Sequence, residues 1–470
     1  MNAATSGVTR VLAVAALTAA SQLGAAPALA ISPPPIDDTW LPAPAPPAPP
    51  QPTVQREVCA VVTTKPGRAA EASAAPTQLA DLDLPRVWQL SRGAGQRVAV
   101  IDTGVARHRR LPKLVAGGDY VSAGDGTQDC DAHGTLVAGI IGATSDSTLD
   151  KFSGVAPEAT VISIRQSSAK FRPGNDPTGG GVGDVDTMAQ AVRTAADLGA
   201  SVINISSVAC VSPAAALDDR ALGAALAYAV DTRNAVVVAA AGNTGGASQC
   251  PPQRSDTTQG SVSVAVSPAW YDDYVLTVGS VNAAGEPSAF TLAGPWVDVA
   301  ATGESVTSLN PIGDGIMTSI DASHDAAPLS GTSYAAPVVS GLAALIRARF
   351  PTMPARQVMD RIKATAHHPP AGWNPLVGNG TVDAMAAVST ATDPQSGIAV
   401  PDPQPSRVPR PSRIHKPTDQ RPTPGPPAPG ARNIAIGGAA ACVVVLVAAL
   451  ATSTATRVLR RSNRDSVARE

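Results

Sequence analysis

Five short apolar runs without polar alternation dominate the middle of the chain: "RVAVID" (97–102), "ATVISI" (159–164), "ASVINIS" (200–206), "AVVVAAA" (235–241) and "YVLTVGSV" (274–281). A strand with one face in water alternates apolar and polar residues, whereas a strand covered on both faces does not. The segments between them, "HGTLVAGIIGA", "DVDTMAQAVRTAADLG" and "DDRALGAALAYAVDTR", carry helical patterning. Buried strands separated by helices predict an α/β fold, a doubly wound and mostly parallel sheet with helices on both faces. Right-handed crossovers leave that sheet little topological choice. Aromatic residues make up only 3% of the 470 residues, so small aliphatic side chains must fill the core.

Ligands of open sheets of this kind bind outside the carboxyl ends of the strands. Asp102 ends the run "RVAVID", and Asn243 lies just past "AVVVAAAG". His133 opens a helix, and Ser333 opens another within "GTSYAAPVVSG". For Ser333 alone a helix cap is the ordinary explanation, because serine and threonine are favoured there. Four polar residues from four elements at one edge of a sheet have a chemical use as a group. A serine hydroxyl needs a neighbouring base to act as a nucleophile at neutral pH. His133 is the candidate base, Asp102 the group that orients the imidazole, and Asn243 with the Ser333 N–H the donors to an oxyanion.

The segments "VAVIDTGV", "HGTLVAGII", "VVVAAAGN" and "SGTSYAAPVVSG" resemble, in order, the four signature segments of subtilisin-like serine proteases. The resemblance covers roughly residues 79–388 and implies a serine endopeptidase with Asp102, His133 and Ser333 as the triad and Asn243 in the oxyanion hole. Two departures stand out: Tyr334 follows the serine where many subtilisins carry Met, and Leu136 occupies the place of a second His. Neither is expected to touch a reacting group. With the apolar run "VLAVAALTAA" near the start, the Pro-rich stretches at 31–52 and 394–430 and the uncharged stretch at 433–456, the chain resembles the mycosins, the membrane-anchored subtilases of actinobacterial type VII secretion. That resemblance implies limited proteolysis of exported proteins and partners among type VII secretion membrane components; a mainly structural role in that assembly is the alternative.

The ends have their own chemistry. Residues 1–30 read as a signal peptide, with Arg10 ahead of "VLAVAALTAA" and "ALA" at the cleavage point. Residues 31–80 form a Pro-rich N-terminal extension, 81–391 the peptidase domain and 392–432 a second Pro-rich linker. Residues 433–456 carry no charge and precede five arginines, which predicts a transmembrane helix with a cytoplasmic tail at 457–470 and the catalytic domain outside the cell membrane. The net charge of −2 implies no nucleic-acid partner. No cofactor and no metal site is expected; Asp119, Asp125 and Asp129 lack the spacing of a calcium loop.

Of the five cysteines, Cys442 lies in the expected membrane helix. Cys210 and Cys250 each follow a strand, both at the catalytic edge, and are expected to pair; Cys59 is then left for Cys130, three residues before His133. "DTG" at Asp102 is also an aspartic-protease signature, but a second copy is lacking, and so is the HExxH of zinc peptidases. Among other histidines, His108 in "RHRR" reads as part of a solvated basic cluster, and His324 is the one substitute base. Asp184 and Asp186 read as a helix cap, and Trp270, Tyr271 and Tyr274 as core or loop anchors.

Overall fold

The structure is a computed structural model that describes residues 32–60, 76–176, 178–211, 217–245, 250–254, 262–319 and 327–390. The expected signal peptide, the linker at 392–432, the membrane helix with Cys442, the tail and His324 lie outside the described residues. All described residues belong to one compact unit, Met1–Pro405. Among them no helix is long and apolar enough to cross a membrane.

Seven parallel strands form the central sheet: β2 (Arg97–Asp102), β3 (Leu114–Asp119), β4 (Thr160–Arg165), β6 (Val202–Ile205), β8 (Val236–Ala240), β10 (Leu276–Val281) and β11 (Val297–Thr302), in the order β11-β10-β8-β6-β2-β4-β3. Every residue of β6, β8 and β10 is buried. Successive strand side chains point to opposite faces, so unbroken burial means that both faces are covered. Helices α2 (His133–Gly142) and α5 (Thr332–Arg349) pack together and on the sheet; α3 (Val185–Asp197) packs on the sheet as well, and α4 (Arg220–Ala227) packs against α3. Among the described residues, α1 (Leu84–Leu90) precedes them, and α6 (Ala355–Thr365) and α7 (Ala384–Val388) follow.

Local signals explain the element ends. Asp184 caps α3 by accepting the Thr187 N–H at 2.8 Å, and Thr187 answers the Asp184 N–H at 3.0 Å. Such reciprocal capping satisfies donors that a helix start otherwise leaves orphaned. The run expected at 274–281 becomes a strand only from Leu276, because Tyr274 and Val275 turn back to the Tyr271 carbonyl. Trp270 and Tyr271 are buried anchors that donate to Asp219 at 2.8 Å each, ahead of α4. Past Ala227, α4 continues as a π-helical turn over Tyr228–Thr232.

The "RHRR" segment is not solvated as a whole. Arg110 is 2% exposed, grips Asp150 through Nη1 at 2.9 Å and gives Nε to the Thr144 carbonyl at 2.8 Å. His108 is buried beside it and accepts the Arg110 N–H. A guanidinium can be buried when carboxylate and carbonyl partners satisfy its fork, and the Phe152 ring stacked 5.3 Å away completes the site.

The described part of the N-terminal extension is bound along its length. The Pro42 carbonyl accepts from Arg193 at 3.1 Å. Strand β1 (Thr53–Gln55) pairs antiparallel with β5 (Phe171–Pro173), and Glu57 meets Lys170 and Arg172 at 3.1 and 2.8 Å. Cys59 is disulfide-bonded to Cys130, and the Ala60 N–H donates to the Cys130 carbonyl at 2.8 Å.

Candidate active site

Asp102 is the last residue of β2, 2% exposed, and His133 is the first of α2. The His133 Nδ1–H donates to Asp102 Oδ1 at 2.7 Å, and the Thr103 N–H donates to the same oxygen at 2.7 Å. Gly134 lets the helix start come this close: a Cβ there would lie 2.1 Å from the Gly104 carbonyl oxygen. A side chain at that position would therefore push α2 off the carboxylate.

The N-cap of α2 is Ala132, which offers no side-chain acceptor and holds a left-handed φ of 71°. Its first amides are satisfied from elsewhere. Thr103 Oγ1 accepts the Gly134 N–H at 2.9 Å, and Asp129 Oδ2 accepts the Thr135 N–H at 2.8 Å. Thr103 Oγ1 in turn donates to Asp129 Oδ1 at 2.8 Å. Burial raises the Asp129 carboxyl to about 6 against the hydrogen bonds from Thr135 and Thr103, with the Asp102 charge adding to the rise. Asp131 holds the loop on the other side, accepting the Ala169 N–H at 2.8 Å. Asp129, which lacks the spacing of a calcium ligand, is thus part of the frame around His133. Its signal was its place in the loop just ahead of a helix lacking a cap.

Burial opposes the His133 imidazolium, but the bonded Asp102 carboxylate, with Asp129 and Asp131 nearby, outweighs it and holds the pKa above the usual histidine value. One quarter of the His133 side chain is exposed, so the ring is open to a substrate. The Tyr334 ring lies 5.3 Å from it, tilted by 42°. The expectation that Tyr334 stays clear of the reacting groups is therefore corrected: it walls the imidazole directly.

Ser333 is the second residue of α5 and 9% exposed. Asn243 follows β8, and its Oδ1 accepts the Thr332 N–H at 2.9 Å. That backbone donor orients the amide with Nδ2 on the opposite side. A Cβ placed on Gly331 would lie 3.1 Å from Ser333 Oγ and 3.5 Å from Asn243 Nδ2. The hydroxyl and the amide thus border one space, which glycine leaves open. The Asn243 carbonyl accepts the Cys250 N–H at 2.9 Å, and the Cys210–Cys250 disulfide ties that loop to β7 (Ala209–Val211), which pairs with β9 (Ala265–Ser267).

A cleft opens past the end of β6, and its lining includes Gln166, Asp184, Met188, Ser207, Val208 and Leu222. Asp184 therefore both caps α3 and borders the cleft. Asp119 is committed to Arg165, and among the described residues no group of acidic, histidine or cysteine side chains could hold a metal ion. All four site residues expected from sequence lie at the carboxyl edge of the sheet.

The model of the Subtilase family matches residues 93–380. The chain is 69% identical to mycosin-4 of Mycobacterium tuberculosis over 96% of its own length and 97% of that protein's. It is similar to the solved MycP3 protease from the type VII (ESX-3) secretion system, with a TM-score of 0.70 and 44% identity, over 76% of this chain and 100% of the other. It is also similar to a chain in the intact ESX-5 inner membrane complex, with a TM-score of 0.71 and 40% identity, over 90% of this chain and 100% of that one.

Proposed function

The chain belongs to the subtilase family of serine proteases, within its mycosin branch, and on that premise we propose that it cleaves exported polypeptides through an Asp102–His133–Ser333 triad. His133 Nε2 takes the Ser333 proton as Oγ attacks the scissile carbonyl. Asp102 keeps the other ring nitrogen protonated and stabilises the imidazolium that forms. Asn243 Nδ2 and the Ser333 N–H donate to the oxyanion, which carries more charge than the substrate carbonyl and so gains more from them. His133 then returns the proton to the leaving amine, and a water molecule repeats the sequence on the acyl-enzyme. The observation that carries this reading is the 2.7 Å Asp102–His133 bond, together with the single space bordered by Ser333 Oγ and Asn243 Nδ2. By resemblance to the subtilisins, Ser206–Val208 and Ala240–Gly242 correspond to the segments that line the primary specificity pocket, and their small uncharged residues favour a small or apolar residue before the cut.

A fluorophosphonate probe tests the assignment. It should label wild type on Ser333 and leave Ser333→Ala and His133→Ala unlabelled; a label elsewhere, or none on folded protein, overturns it. Ser333→Ala should lower turnover by about 10⁴ to 10⁶-fold.

The uncharged stretch at 433–456 with arginines after it supports a single C-terminal membrane helix, with the protease outside and the tail in the cytoplasm. Protease added to intact spheroplasts should remove the domain and spare a tail epitope. The alignment with a chain of the ESX-5 inner membrane complex favours association with type VII secretion components, and it supports a second reading in which the protein chiefly stabilises such an assembly. Secretion that persists in a Ser333→Ala strain and fails on deletion would favour that second role.

A further inference from the structure

Pro337 sits inside α5, four residues after Ser333. In a regular helix the N–H at that position would bond the Ser333 carbonyl, but proline has no N–H to give. The carbonyl of a buried residue left without a donor is costly. Here the donor comes from the residue just past β6: Ser206 Oγ–H donates to the Ser333 carbonyl at 3.0 Å. Ser206 is not alone. Asn204 Nδ2 donates to Ser206 Oγ at 2.9 Å, and Ser340 Oγ–H donates to Asn204 Oδ1 at 2.8 Å. The chain of bonds leaves α5 at Ser340, crosses to Asn204 on β6, passes to Ser206 at the strand's end, and returns to α5 at Ser333. Asn204 and Ser340 are fully buried and Ser206 nearly so. Each link fixes the next: Ser340 holds the Asn204 carbonyl oxygen, which turns the amide N–H toward Ser206, which turns the hydroxyl proton toward Ser333.

We propose that Ser206, supported by Asn204 and Ser340, is a positioning residue for the reaction, setting the first turn of α5 so that Ser333 presents its Oγ to His133 and its N–H to the oxyanion. This rests on Ser333 being the nucleophile. Ser206 does not touch the reacting atoms. Its bond also draws electron density from the peptide group on the carbonyl side of Ser333. The proline that frees the carbonyl and the serine that takes it work as a pair: a helix with an ordinary residue at 337 would need no Ser206 hydroxyl.

The test compares Ser206→Ala, Ser206→Thr and Ser340→Ala in the intact ectodomain, on a peptide substrate, after thermal unfolding has established that each is folded. Ser206→Ala should lower kcat by about 10 to 100-fold, the effect of leaving one buried carbonyl unpaired, with KM within a few-fold of wild type. Affinity for a peptide boronate, which mimics the tetrahedral intermediate, should fall in parallel with kcat, which a merely structural role would not produce. Ser206→Thr keeps the hydroxyl and should recover most of the loss, and Ser340→Ala should show the same pattern with a smaller drop. Unchanged kcat in folded Ser206→Ala, loss confined to KM, or a Ser340→Ala defect larger than that of Ser206→Ala overturns the proposal. Fluorophosphonate labelling separates the two readings: a label on Ser333 with kcat unchanged removes only the role of Ser206, whereas a label on another residue removes the nucleophile and this proposal with it.

Discussion

The ring of Tyr334 stands 5.3 Å from the ring of His133, on the residue immediately after Ser333. One step of the chain thus supplies both the hydroxyl and a wall for the base beside it. Burial, with the charges of Asp102 and Asp129, raises the Tyr334 pKa, so the phenol stays neutral at physiological pH. An aromatic contact of this kind is worth about 1 kcal/mol beyond area burial. Tyr334→Ala should therefore reduce kcat by up to about tenfold, and Tyr334→Phe, which keeps the ring, should stay near wild type in steady-state peptide hydrolysis.

In the proposed mechanism activity requires a neutral His133, and its pKa is raised by the carboxylates around it. The acid limb of kcat/KM should then lie above the ordinary histidine value of about 6.5, with activity lost as pH falls through it. Asp129→Asn removes one raising charge and should move that limb to lower pH. A pH–rate profile that stays put, or moves upward, contradicts the electrostatic role given to Asp129. The stability linkage runs in the matching direction. The folded-state pKa of His133 is raised, so its contribution to stability is complete below the unfolded value and is lost as pH rises through the folded one.

The pair Arg110–Asp150 is buried on both sides, at 2% and 3% exposure. Removing one partner strands the other without solvent. Arg110→Ala should cost about 3–5 kcal/mol in denaturant unfolding, far more than an exposed pair such as Arg86–Asp83, worth about 0–1 kcal/mol. A loss below 1 kcal/mol for Arg110→Ala would mean that Asp150 finds another partner.

The Cys59–Cys130 bridge spans 71 residues of sequence. In the chain-entropy model a loop of that size stabilises by about 4 kcal/mol. The double variant Cys59→Ser, Cys130→Ser should melt earlier, and its extension should become sensitive to added protease. In wild type the extension is held by β1 and the Glu57 ion pairs as well. N-terminal sequencing of purified wild type beside Ser333→Ala should therefore give the same single start; a second start near residue 80 in the wild type alone would identify self-cleavage of the extension.

Five of the seven sheet strands were legible as apolar runs, and the two that were not are its edges. β3 reads "LVAGGD", with two glycines and partly exposed positions, and β11 reads "VDVAAT", with Asp298 inside it. A buried carboxylate looks like a turn in sequence and like a strand only once its partners, the Thr277 N–H and Lys363, are in place. The candidate site was legible where the proposed chemistry imposes residue types, at Asp102, His133, Asn243 and Ser333. It was not legible at Thr103, Asp129, Ser206 or Tyr334, whose parts depend on which strand end meets which helix start. Arg110 was misread for the same reason, since nothing in "RHRR" announces Asp150 40 residues later.

The disulfide between Cys59 and Cys130 also separates cutting from release. A peptide bond broken anywhere between these two cysteines would yield a two-chain molecule rather than a shortened one. Its mass would change only by the added water, and its mobility on a non-reducing gel would stay that of one species. The fragments would part only after thiol treatment and unfolding of the β1–β5 ribbon. Maturation of such a protein, followed without a reductant, would look as if nothing had happened.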